Sequence, residues 1–167
     1  MNDSPIDLTS IPIGEYAFPG PLRDALVSAI LSGDKTSTAT LVEEFTRAGE
    51  PLPSPTGGDL EAVIDSEGKI VCVTRTTRNY VTTLAHVTDE HARKEGEGYA
   101  DAREWRVGHE RFWTSDEFIT ALGDPPHERL AECMIQFLPP TDQSVDAMVS
   151  AWVAQMEIGR ASCRERV

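Results

Sequence analysis

Gly33-Asp34-Lys35-Thr36-Ser37-Thr38 is the stretch on which the reading of this chain turns. It falls just after a segment with helical periodicity and just before one rich in β-branched residues. A lysine three residues ahead of a threonine at such a junction can put an amine and a hydroxyl on one pocket wall. A second element, Thr88-Asp89-Glu90-His91-Ala92-Arg93-Lys94-Glu95-Gly96-Glu97-Gly98, can bring a carboxylate to them.

Outward from this run, Pro21 suits the first turn of a helix. Leu22, Ala25, Leu26, Ala29 and Ile30 then recur at helical spacing, and Gly33 suits its C-terminal cap. Thr36 to Val42 reads as a strand and Glu43 to Ala48 as a short helix. Gly49 to Gly58, rich in proline and glycine, reads as a loop. Leu60–Ile64 and Lys69–Thr77 read as strands joined by the turn Asp65-Ser66-Glu67-Gly68, with both faces of the second at least partly buried. Tyr80 to Val87 is expected to add a strand and turn. Thr88 is placed to cap a helix ending near Gly96, with Asp89 and Glu90 in its first turn, where the dipole favours anions. Ala100–Trp113 is a second helix in this region, with Trp105, His109, Phe112 and Trp113 on one face. A short turn over Glu117–Leu122 and a late strand over Leu130–Leu138 follow. Val145, Met148, Val149, Trp152, Val153 and Met156 form an apolar helical stripe over 141–156 that needs a covering surface, either the barrel or a second copy in a homodimer.

Composition bounds the function. The 167 residues suit one domain with a real core, and 40% hydrophobic with 26% charged residues is ordinary for a soluble protein. No apolar run approaches the ~20 residues of a membrane span. The polar start, Met1 to Thr9, within a polar lead over 1–15, does not read as a signal peptide, so a cytoplasmic protein is expected. The net charge of −13 opposes a sequence-independent grip on long nucleic acid, while leaving room for a small ligand or a local basic pocket. Cys72, Cys133 and Cys163 are sparse and lack a CxxC spacing, which fits a reducing compartment; the first two read as buried small hydrophobes. His86, His91, His109 and His127 show no metal-binding spacing, so neither metal nor cofactor is expected. Residues 157–167, EIGRASCRERV, match the translation of a common short-read sequencing adapter and are set aside from the fold.

Several further runs accompany the lysine element: Gly49-Glu50-Pro51-Leu52-Pro53, Gly58-Asp59-Leu60, Cys72-Val73-Thr74-Arg75-Thr76-Thr77, Trp105-Arg106 and His109-Glu110-Arg111-Phe112. In this order the set resembles the longer bacterial ASCH proteins, of the PUA-like group, over roughly residues 16–138. The resemblance implies an α+β fold, a PUA-like β-barrel flanked by helices. ASCH domains resemble RNA-binding PUA folds, and a short bacterial branch hydrolyses N(4)-acetylcytidine with a lysine, a threonine and a glutamate. That branch's Gly-x-Lys-x-x-Thr run places its roles on Lys35 and Thr38. Its Thr-x-x-His-Ala-x-x-Glu run places the third on Glu95. This chain departs from that branch in the long Glu43–Gly58 segment, in Ala39 where an arginine is expected, and in its length.

The implied reaction is a metal-independent amide hydrolysis with Thr38 as nucleophile, Lys35 as base and Glu95 as acid. Threonine needs an adjacent base. Lys35 meets that need only if burial or a nearby cation brings its pKa from ~10.4 toward ~7–8; Arg75 is the candidate cation. Glu132, in an apolar strand, would need a partner if buried and can hold Arg75 or Lys35. His109 is a candidate for substrate contact, and Tyr16 and Trp105 for stacking on a base. A purely structural role stands beside each: Lys35 facing a helix C-terminus, Thr38 as a strand residue, Glu95 as a solvated helix end, Arg75 paired at the surface, the aromatics and His109 as packing. The expected partners are a nucleoside, a nucleotide or short RNA. Two other functions fit the same residues: an RNA-binding module without catalysis, and cleavage of RNA with Lys35 stabilising phosphate charge.

Overall fold

The computed structural model describes residues 10–123 and 132–137. The 141–156 stripe, the 157–167 tail, most of the polar lead, His127 and Cys163 lie outside them. In chain order the elements are β1 (Ile13–Gly14), α1 (Pro21–Ser32), β2 (Ser37–Leu41), α2 (Val42–Ala48), β3 (Leu60–Ile64), β4 (Ile70–Arg75), β5 (Arg78–Thr83), a 3₁₀ turn (Leu84–His86), α3 (Asp89–Lys94), α4 (Ala102–Trp113), α5 (Asp116–Leu122) and β6 (Glu132–Phe137). The α+β, PUA-like class holds.

The strands form two three-stranded sheets. One has the order β1-β3-β4, with β1 parallel to β3 and β3 antiparallel to β4. The other has the order β2-β6-β5, both pairs antiparallel. Between β4 and β5 the chain passes from one sheet to the other, and the Thr77 amide donates to the Phe137 carbonyl across the step, at 2.9 Å. Ile11 is buried and Ile13 pairs with Ala62, so the end of the lead is built into the first sheet.

Each sheet has its own core. Tyr16, Leu26, Val27, Ile30, Val63 and Cys72 pack α1 on the β3–β4 pair. Leu41, Leu84, Val87, Trp105, Trp113, Phe118, Cys133 and Ile135 pack the three later helices on the second sheet. Cys72 and Cys133 are both buried, as expected of small hydrophobes.

Helix α1 is turned from the expected face. Leu22 is half exposed and Ala25 exposed, while Arg23, Leu26, Val27 and Ile30 are buried. Arg23 goes inward because main-chain acceptors wait for it there. Its Nε and Nη2 donate to the Ala17 carbonyl at 3.1 and 2.6 Å, and Nη1 lies 3.5 Å from the Asp65 carbonyl. An arginine can enter a core when donors and acceptors match, because the cost of burying its charge is met by hydrogen bonds.

Candidate functional site

The end of α1 sets Lys35. Gly33 takes the left-handed conformation, φ 83°, and its amide bonds the Ile30 carbonyl at 3.1 Å. The Lys35 amide then bonds the Ala29 carbonyl at 2.9 Å, so the lysine leaves a fixed helix end. Against it comes the end of α3. Thr88 Oγ1 accepts from the His91 amide at 3.2 Å and opens that helix. The Thr36 amide bonds the Lys94 carbonyl at 2.8 Å. Gly96, φ 68°, follows, and a Cβ on it would lie 2.8 Å from the main chain of Asp34 and Lys35. Only glycine combines that left-handed conformation with so close an approach. The glycine thus seats Glu95 and Glu97 on either side of the lysine.

Lys35 is 2% exposed. Its Nζ donates to Glu95 Oε2 in a short contact, to the Glu95 carbonyl at 3.2 Å and to Glu97 Oε1 at 3.2 Å. Burial lowers its pKa, but the negative charges of Glu95 and Glu97 outweigh this and hold it above the ordinary lysine value. Lys35 is therefore an ammonium. The depressed, basic lysine that the sequence reading requires is not what these neighbours make.

Glu95 is 1% exposed and saturated. Its Oε1 accepts from Trp105 Nε1 at 3.2 Å, and His91 Nε2 lies 2.9 Å away, close but poorly directed for a hydrogen bond. On the far side of that ring, Nδ1 lies 2.9 Å from Ser37 Oγ. Burial would raise the Glu95 pKa, but the charge of Lys35, then His91 and His109, hold it well below the usual carboxylate range. Glu97 differs. Its burial, with Glu95 beside it, prevails over the pull of Lys35 and pushes it up to about 7. Tyr99 is pushed up to about 12 by burial and then by the charges of Glu97 and Glu95. Burial also lowers the pKa of His109.

A cavity of about 550 Å³ lies where the two cores meet. Lys35, Glu97, Tyr99 and His109 line its wall. Thr38 and Thr40, two residues apart and hence on one face of β2, line the same cavity, together with Gln136, the register partner of Thr38. Tyr16, Arg23, Glu44 and Glu61 also line it, as do Phe18, Phe112 and Phe118. Tyr16 donates to Glu61 Oε2 at 3.0 Å, and Glu44 Oε1 accepts from the Leu41 amide at 3.1 Å. Burial raises the pKa of both glutamates.

The structure therefore brings Lys35, Thr38, Tyr16 and His109 to one cavity. Trp105 is completely buried behind it; its ring stacks on His109, centroids 4.0 Å apart, and is closed to a ligand. Glu95 is likewise behind the wall, in contact with Lys35 and 3.8 Å from His109 Nε2, both of which line the cavity. Arg75 is exposed at the end of β4, paired in register with Leu60, and Glu132 is exposed opposite Thr83 on β6; neither lines the cavity. In place of Arg75, the groups beside Lys35 are anions.

Sequence reasoning gave no role to Glu97, Tyr99, Arg23, Glu44 or Glu61. For Arg23 a signal existed: it stands at i with Leu26, Val27 and Ile30 at i+3, i+4 and i+7, inside an apolar stripe. For Glu97 the signal was a second glutamate across a glycine from Glu95. Glu95, Glu97 and His109 bring donor atoms within 4.8 Å of one another. The ammonium of Lys35 contacts both carboxylates there and supplies the positive charge, so the trio reads as a charge network and not as a metal site.

The chain belongs to the ASCH domain family, whose model matches residues 15–137. Among solved structures it is similar to an ASCH domain from Lactobacillus crispatus JV V101, at 22% identity, with a TM-score of 0.65 over 78% of this chain and 79% of that one. A protein from Enterococcus faecalis V583 is similar at 22% identity and a TM-score of 0.56, over 69% of this chain and 66% of that one. Among curated proteins none matches. Among the described residues no helix is long and apolar enough to cross a membrane.

Proposed function

We propose that the cavity is the active site of a metal-independent hydrolase that cleaves the amide of a modified nucleoside of the N(4)-acetylcytidine type. The observation that carries this is a buried ammonium, Lys35, on the wall of a cavity of about 550 Å³ whose wall also holds Thr38. Cavities of ~300–1,000 Å³ suit one small ligand. Phe18, Phe112 and Tyr99 give a nucleobase apolar surface, and Glu44, Glu61 and Gln136 give its edge hydrogen-bond partners. Thr38 is the nucleophile. Lys35, its three N–H groups already given to Glu95 and Glu97, stabilises the oxyanion through its charge and is not the base. Glu95 holds Lys35 in place.

Charge separates this from the RNA readings. Of the described residues lining the cavity, the cations are Arg23 and Lys35, and each is already paired with protein groups. Four carboxyl groups, of Glu15, Glu44, Glu61 and Glu97, line it too. A phosphate would meet more like charge than opposite charge, so an uncharged nucleoside is favoured over its nucleotide and over RNA.

The test is conversion of N(4)-acetylcytidine to cytidine by the full chain, with a chelator present, followed by chromatography. Thr38→Val keeps the β-branched shape and removes the hydroxyl. Conversion by the wild type, lost in Thr38→Val and weaker on the 5′-monophosphate, is expected. No conversion at high enzyme concentration would discard the hydrolase, and binding of short single-stranded RNA would then mark an RNA-binding module.

A further inference from the structure

We propose that Glu97, and not Glu95, is the catalytic residue that moves the proton in this cavity. The inference rests on the hydrolase reading above and assigns the acid–base group within it. Of the two carboxylates on Lys35, only Glu97 lines the cavity. Its side chain is 18% exposed against 1% for Glu95. Both Glu95 oxygens are engaged, Oε2 by Lys35 and Oε1 by Trp105, which leaves none facing a ligand. Glu97 touches Lys35 at 3.2 Å and lies beside Glu95 and Tyr99, and the rest of its side chain borders the cavity. The charged and titratable groups around it are Lys35 from the α1–β2 junction, Glu95 from the end of α3, Tyr99 from the segment before α4, and His109 from α4. The first pulls its pKa down and Glu95 pushes it up, with burial prevailing, so it exchanges protons near neutrality. Glu95, locked as an anion, does not.

The chemistry then closes. The Glu97 carboxylate takes the proton of the Thr38 hydroxyl as Oγ1 bonds the acetyl carbonyl carbon. The carbonyl electron pair moves to oxygen, stabilised by Lys35. On collapse the carbon–nitrogen bond breaks, and Glu97 returns its proton to the departing exocyclic amine. The nucleoside leaves, with the acetyl group as an ester on Thr38. Water, deprotonated by Glu97, cleaves that ester; the proton goes to the Thr38 oxygen, and acetic acid is released.

The experiment compares the wild type, Glu97→Gln, Glu97→Asp and Glu95→Gln on N(4)-acetylcytidine across pH 5 to 9, with thermal unfolding of each. Glu97→Gln is expected to fold, to keep KM, and to lose at least ~100-fold in kcat, the low end of what a positioned acid–base group supplies. In the wild type kcat/KM should rise through a midpoint near 7, and Glu97→Asp should retain a rise at acidic pH. A folded Glu97→Gln with wild-type kcat and an unchanged acidic limb would overturn the assignment while leaving the hydrolase standing. So would a Glu97→Asp profile with no acidic limb. An inactive wild type would overturn the hydrolase and this assignment together.

Discussion

Two buried cations line the same cavity, and their surroundings differ in kind. Arg23, from α1, is held mainly by main-chain carbonyls, those of Ala17 and Asp65, with Glu15 as a solvent-facing partner. Lys35, from the junction after α1, is held by two carboxylates that are themselves largely buried. A carbonyl cannot take up a proton, so the Arg23 grip has one state. It ties the chain at residues 15–17 and the β3–β4 turn to α1. A carboxylate can, so the Lys35 grip has at least two states, and only one of its two acids faces the ligand space. The lesson is that burial of a charge does not by itself mark a functional group. What marks it is a titratable partner with an open side.

Removing the cation separates the two regions most sharply. Lys35→Met leaves Glu95 buried and uncompensated, and should cost about 3–5 kcal/mol at pH 7. The sign with pH follows from Glu95. Its folded pKa is depressed, so its contribution is present above the ordinary carboxylate range and lost as pH falls through the folded value. Without Lys35 the depression goes, and the variant should regain stability relative to wild type as pH falls toward ~4. Denaturant unfolding at several pH values reads this directly. Arg23→Met should cost less, about 1–3 kcal/mol for the carbonyls left unpaired, and nearly the same amount from pH 5 to 8. A pH-dependent loss there would collapse the distinction.

Glu97→Gln should sharpen it in the opposite direction. The folded pKa of Glu97 is raised, so its contribution is fully present below the ordinary carboxylate range and is lost as pH rises through about 7. At pH 8 the wild type bears the cost of ionising this group beside Glu95. The amide should therefore be more stable there by about 1–2 kcal/mol, with little gain at pH 5. A variant both inactive and more stable has the signature of a site kept for function. The smallest effect is expected from Tyr16→Phe, which removes one hydrogen bond to Glu61 on the cavity wall and should cost about 0.5–1.5 kcal/mol. It should also raise the pKa of Glu61 further, since that bond lowers it.

What was legible in the sequence follows from the range of the forces involved. The β3–β4 hairpin, the Gly33 cap and the Thr88 cap depend on residues a few positions apart, and their signals are local. The lysine element was legible because the helix end, the left-handed glycine and the strand start lie within six residues. The rotation of α1 was legible only in part: Arg23 shares a stripe with Leu26, Val27 and Ile30, but the acceptors that draw it inward belong to Ala17 and Asp65, the latter 42 residues away. The choice between Glu95 and Glu97 was not legible. Glu95 points inward with His91, one helical turn before it. Glu97 lies past Gly96, and its direction depends on how that glycine presses against Asp34 and Lys35, some 60 residues earlier. Arg75 drew attention as a strand-end cation and Glu132 as a charge in an apolar strand; both stand at strand ends away from the cavity, where the side chain reaches water.

The most direct measurement is a carboxyl-carbon NMR titration of the glutamates in the wild type, with Glu95→Gln and Glu97→Gln for assignment. A Glu97 signal titrating with a midpoint near 7, beside a Glu95 signal that stays ionised across the folded range, is the expected result. A Glu95 signal that titrates near neutrality while Glu97 stays flat would contradict it.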